Sequence, residues 1–189
     1  MTTKEKIIFE SLKLFSVNGY EAVSTRMIAR AVDASDSVIY KHFKNKQEIL
    51  DSIVEVCLNR FSQGLDNVDV SSMDWNMVEK VCMDFYDFQT MDEWIKPFRR
   101  LLTIEQFRNP RMAEIYRKFF IDIPVQSSAK MFEELMELGY MKKGDAAVYA
   151  MELYSPFFMC NTLEDNDGEL REQLKKHIEV FKNTVMVEK

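Results

Sequence analysis

Residues 40 to 46 read Tyr-Lys-His-Phe-Lys-Asn-Lys, which places a phenol, an imidazole and three ammonium groups within seven positions. Groups of this kind donate hydrogen bonds to phosphate oxygens and to the acceptor edges of bases. Catalytic or metal chemistry is harder to assemble. The chain has two histidines, His42 and His177, and Ile39 and Leu174 stand three residues before them. Neither a Glu-x-x-His pair nor an HExxH helix is therefore possible. No GxSxG elbow, Walker loop or GxGxxG turn occurs. The acidic run Glu-Asp-Asn-Asp-Gly-Glu, 164 to 169, lacks the alternating ligands and closing glutamate of a calcium loop. Cys57, Cys82 and Cys160 are odd in number and far apart, so they form neither a disulfide framework nor a zinc site and read as reduced thiols. The expectation is a protein that is not an enzyme and needs no metal or cofactor.

The elements around the basic cluster follow from hydrophobic spacing. A first helix is expected from about Thr3 to Val17, with Ile8, Leu12 and Phe15 on one face and Ile7 and Leu14 beside it. Asn18-Gly19 stops it, since both tolerate a left-handed backbone. Ser24 is placed to cap a short second helix that turns Met27, Ile28 and Ala31 inward. After a break at Asp33-Ala34, Ser35 is placed to cap a third helix whose apolar side is Val38, Ile39 and Phe43. Asn45 with Glu48 has the spacing of a capping box for a longer helix through Phe61, with Ile49, Leu50, Ile53, Val54 and Cys57 inside. Two short helices joined by a few residues and braced by a longer one have a helix-turn-helix layout. Its third helix turns Asp36, Ser37, Tyr40, Lys41 and Lys44 outward, the side that a recognition helix exposes.

Charge marks the same boundary. Residues 1–46 hold eight Lys/Arg against five acids, a net +3, whereas the rest of the chain carries −9 within a total of −6. This asymmetry favours a basic polyanion-binding unit, residues 1–46, and a second unit, 47–189. Residues 64–74 are polar and form the best linker candidate. With only five glycines and four prolines in 189 residues, the fold class is all-α: an N-terminal three-helix helix-turn-helix domain and a larger helical domain.

The run from Phe9 to Leu50 resembles the N-terminal DNA-binding domain of the TetR family of bacterial transcriptional regulators. The matching residues are Leu14-Phe15, Gly19-Tyr20, Ser24, Ile28-Ala29, and Ser35 leading into Ile39-Tyr40-x-His42-Phe43-x-x-Lys46. The resemblance covers the first quarter of the chain. It implies a homodimer that places each third helix in the major groove of a palindromic double-stranded operator, and a small molecule in the larger domain that releases DNA. It further implies phosphate contacts from Tyr40, His42 and Lys46, and a backbone or base contact from Arg26. Asp36, Ser37 and Lys41 fall at positions that read sequence, and Ser35 completes the expected DNA-binding set. Three residues depart from the family pattern: Asp33 replaces a common Gly, Asp36 a frequent Lys and Val38 a frequent Thr. Asp36 should repel phosphate unless it accepts from a cytosine amino group.

Ten of the fourteen Phe and all but two of the thirteen Met lie beyond residue 70. Adaptable Met and aromatic side chains either line an apolar pocket or fill a core. As a group they favour a hydrophobic or aromatic effector, with Phe85, Phe88, Trp94, Phe98, Phe107, Tyr116 and Phe120 as the candidate ligand-binding residues. Pro124 should kink or break the helix that contains Ile115 and Phe119, and Pro156 should distort a later one. The last two helices, 145–163 and 168–187, are the expected homodimer surface, because four such helices from two chains make a bundle. No stretch approaches the ~20 apolar residues of a membrane span, and the expected location is cytoplasmic. The alternative function is a helical ligand-binding or protein-interaction module whose head no longer binds DNA well, prompted by Asp33 and Asp36.

Overall fold

A computed structural model describes residues 1–65, 75–163 and 168–187. They form α1 (Thr3–Asn18), α2 (Thr25–Ala31), α3 (Asp36–His42), α4 (Lys46–Leu65), α5 (Trp75–Met91), α6 (Ile95–Glu105), α7 (Pro110–Arg117), a π-helical turn (Lys118–Asp122), α8 (Ile123–Glu137), α9 (Ala146–Asn161) and α10 (Glu169–Val185). The fold is all-α, and among the described residues the one β-type contact is an isolated bridge between Met141 and Met186. Most of the expected linker, 66–74, and residues 164–167 of the acidic run lie outside the described residues.

By compactness the chain divides into two units, Met1–Val68 with Met91–Tyr116, and Asp69–Thr90 with Arg117–Lys189. In the first, α1 is the organising helix. Ile7, Leu12 and Phe15 are fully enclosed, and α1 packs on α2, α4 and α6. Its start is a reciprocal cap: Thr2 Oγ1 accepts from the Glu5 amide while Glu5 Oε2 accepts from the Thr2 amide. Its end is Gly19 at φ 77°, a value that a side chain would strain. The predicted stripe of α4, from Ile49 to Cys57, is buried throughout.

The second unit is built on α8 packed against α9 and α9 against α10. Tyr86, Phe132, Leu153, Phe157, Ile178 and Phe181 fill its centre. Asp145 caps α9 by accepting from the Ala147 and Val148 amides. Pro156 lies inside α9, which nevertheless runs unbroken to Asn161. The break expected at Pro124 takes another form. Proline lacks the amide hydrogen that an α-helix directs at the carbonyl four residues earlier, here that of Phe120. The backbone widens into the π-helical turn just before it, and the Tyr154 hydroxyl donates to the Phe120 carbonyl at 2.6 Å.

Candidate nucleic-acid interface

The turn between α2 and α3 determines where α3 points. The Asp33 amide donates to the Arg30 carbonyl and the Ala34 amide to the Ala29 carbonyl. This is the paired bonding of a Schellman motif, whose key residue adopts a left-handed backbone. Asp33 does so, at φ 54°. Lys6 Nζ donates to the Val32 carbonyl at 3.3 Å and lies 3.8 Å from Asp33 Oδ2, which braces the turn from α1. The replacement of the usual glycine therefore preserves the turn.

Ile39 and Phe43 are buried and hold α3 down, while Ser37, Tyr40, Lys41 and His42 are exposed. This is the division of faces expected from the sequence. One cap differs. Ser35 makes no side-chain bond to an α3 amide, and its hydroxyl instead lies 2.7 Å from that of Ser37. Tyr40 is 56% exposed, and its hydroxyl lies 3.4 Å from Thr25 Oγ1 at the start of α2. Between them opens a shallow depression of 450 Å³, lined by residues 21–25, Tyr40 and residues 44–46. Exposed Lys44 and half-buried Thr25 thus line this surface. Thr25 is found only once α2 is seen to begin directly after its Ser24 cap.

Lys46 is placed differently from the other cations. Its ammonium donates to the carbonyls of Tyr20 at 2.7 Å and Val23 at 3.0 Å, with that of Glu21 at 3.4 Å. It also lies 4.2 Å from the centroid of the Tyr20 ring, a favourable cation–π geometry. An ammonium has three hydrogens, and here three carbonyls receive them. Lys46 clamps the loop between α1 and α2 onto α4. Tyr20 is further fixed by its amide, which donates to Glu105 Oε1, and by its hydroxyl, which donates to Gln47. Burial, reinforced by Glu21, Asp51 and Glu105, raises its phenol above the ordinary range. The expected capping box also differs in detail. Asn45 Oδ1 accepts from the Glu48 amide, but Glu48 reaches past Asn45 to the Lys44 amide at 2.6 Å.

Arg26 and Asp36, on α2 and α3, form an ion pair with Nε 3.4 Å from Oδ2. The carboxylate thus faces a guanidinium.

The seven aromatic candidates divide between the two units. In the first, Phe98 is fully buried, Tyr116 is buried and Phe107 is 85% exposed. Trp94 is buried, with its ring 4.8 Å from that of Phe9 and the Arg60 guanidinium 5.2 Å from its centroid. In the second, Phe85 packs half-buried against the core, Phe88 is half-buried and Phe120 is buried. A polar pair missed in the sequence lies in that unit: Asn161 Nδ2 donates to Gln89 Oε1 at 2.5 Å, with both residues buried. None of the three cysteines forms a disulfide; burial pushes the Cys82 thiol up to about 12 and moves Cys57 in the same direction. Among the described residues no group of His, Cys, Asp and Glu could hold a metal ion, and no helix is long and apolar enough to cross a membrane.

The model of the bacterial regulatory proteins of the tetR family matches residues 7–53, the span from α1 into α4. Over these residues the chain matches the DNA-binding segment of the TetR family. The curated relative IcaR, the HTH-type negative transcriptional regulator of the biofilm operon icaADBC, matches from two staphylococci. The Staphylococcus epidermidis protein is 38% identical over 58 residues, 31% of each chain, so this match spans about a third of that relative's length. The Staphylococcus aureus (strain Newman) protein is 23% identical over 147 residues, 71% of this chain and 78% of the relative. A TetR-family regulator structure from Mesorhizobium loti superposes with a TM-score of 0.67 at 23% identity, covering 98% of this chain and 97% of that one. The structure of SmeT bound to triclosan superposes at 0.68 and 19% identity, covering 100% and 93%. These two likenesses extend the TetR fold beyond the residues that the family model matches.

Proposed function

We propose that this chain is a ligand-responsive transcriptional repressor, which binds a palindromic operator as a homodimer and is released by a hydrophobic or aromatic small molecule. The observation that carries the reading is the exposed face of α3. Ile39 and Phe43 anchor the helix from beneath, so Ser37, Tyr40, Lys41 and His42 are presented together on a rigid support. Residues 1–46 supply this head, and 47–189 carry effector binding and dimerisation. Tyr40 and His42 contact phosphate, and Ser37 and Lys41 face base edges. The negative regulator IcaR among the relatives supports repression, and triclosan in SmeT supports an aromatic effector.

The dimer part of the proposal is supported by α9, whose exposed residues include Val148, Met151, Phe158 and Met159. They recur at helical spacing on one side of α9, an unusual amount of apolar surface for a monomer to leave in water. On α10 the exposed residues are mainly polar, with Val180 as the apolar exception.

The double variant Tyr40→Ala/Lys41→Ala tests the division of labour. Binding to the DNA upstream of its own coding region, followed by fluorescence anisotropy, should be lost while sedimentation still reports a dimer. Binding that survives the double change would refute the assigned role of α3.

A further inference from the structure

We propose that Asp36 orients Arg26 for reading a guanine, so that the acid on the recognition helix sets operator specificity. The inference rests on the DNA-binding reading above and assigns a positioning role within it.

Arg26 is the second residue of α2, and its side chain is 81% exposed. Packing therefore does not fix its conformation. Asp36 is the first residue of α3 and 41% exposed, and a carboxylate in the first turn of a helix is favoured there by the free amide ends. The contact between the two is made by Arg26 Nε, 3.4 Å from Asp36 Oδ2. A guanidinium that turns its Nε toward a carboxylate leaves the edge formed by its two terminal nitrogens available on the other side. That edge carries two parallel donors whose spacing matches O6 and N7 of guanine.

The pairing has two consequences for recognition. A long side chain held in one conformation before binding loses less freedom when it docks. The carboxylate also cancels the net charge of Arg26, so the pair is not drawn to every phosphate alike. What remains is direction rather than charge, which is the property that separates one base pair from another. An exposed ion pair contributes little to folding, so a change at Asp36 should leave the thermal midpoint nearly unmoved.

Selection of bound sequences from random DNA tests this with four proteins: unmodified, Arg26→Ala, Asp36→Ala and Asp36→Asn. The unmodified protein should select a guanine at one position of each half-site. Arg26→Ala and Asp36→Ala should both lower that preference by about tenfold at the same position, with Asp36→Ala binding arbitrary DNA more tightly. Asp36→Asn keeps a side-chain oxygen at the same reach from Arg26 Nε and should retain most of the preference. An Asp36→Ala protein that binds every sequence more tightly with its guanine preference intact would overturn the proposal, because Asp36 would then only repel. Failure of the unmodified protein to select any motif would overturn the DNA-binding reading as well.

Discussion

Lys46 stands over the ring of Tyr20, 4.2 Å from its centroid, and donates to that residue's own carbonyl at 2.7 Å. A cation that reads in the sequence as a phosphate contact is thus engaged inside the protein, binding the start of α4 to the loop before α2. On the proposed DNA-binding reading, Lys46 serves by holding the scaffold of the helix-turn-helix. Lys46→Met should lower unfolding free energy by about 1–2 kcal/mol, the range for bonds to a charged group discounted for partial exposure. Urea denaturation measures this. The salt dependence of DNA binding should keep its slope, because the slope counts the phosphates neutralised and this ammonium meets none. A reduced slope without loss of stability would return Lys46 to the phosphate.

Asp33 occupies a left-handed position at φ 54° that glycine adopts more easily. Asp33→Gly should therefore stabilise the chain by up to about 1 kcal/mol, offset slightly by loss of the weak Lys6 contact. Asp33→Val should be destabilising, since a branched side chain suits that region least. Opposite signs for the two variants in the same denaturation assay are the expected result. A glycine variant less stable than the parent would mean that Lys6 and Asp33 contribute more than their exposure implies.

The Tyr154 hydroxyl donates to the Phe120 carbonyl, the carbonyl whose α-helical partner amide is absent at Pro124. Tyr154→Phe keeps the ring, buried and stacked on Phe157, and removes only the donor. A loss of about 1–3 kcal/mol is expected in thermal or chemical unfolding. No measurable loss would mean that the π-helical turn satisfies this carbonyl by itself.

Met151 and Phe158 lie on the exposed apolar side of α9. Met151→Glu with Phe158→Glu should convert the proposed dimer to monomers in sedimentation velocity, because burying two carboxylates in an apolar contact is costly. The helical content should be unchanged. A dimer that persists would move the association surface away from α9.

The parts of this fold that were legible in the sequence are those decided within a few residues. Gly19 ending α1 and Ser24 capping α2 depend on local backbone chemistry, and each stands where its spacing placed it. The buried stripe of α4 follows from helical period alone. Lys46 was not legible in the same way, because the carbonyls it binds lie 23 to 26 residues earlier and meet it only after folding. Pro124 announced a disturbance but not its form, since a missing amide permits a kink, a break or a wider turn. The aromatic residues of the larger domain carry the least positional information. Richness in Phe does not separate Phe98, fully enclosed, from Phe107, 85% exposed. Asp36 was visible as an anomaly, and only its distance to Arg26 gives it a partner.

The central claim is that the α3 face binds operator DNA, and the salt dependence of that binding tests it most directly. Equilibrium binding of the purified protein to its own upstream DNA should weaken linearly in log K against log salt, with a slope of about −0.9 for each phosphate neutralised. Contacts to several phosphates predict a steep line. Binding that is absent, or that does not change with salt, would contradict the account.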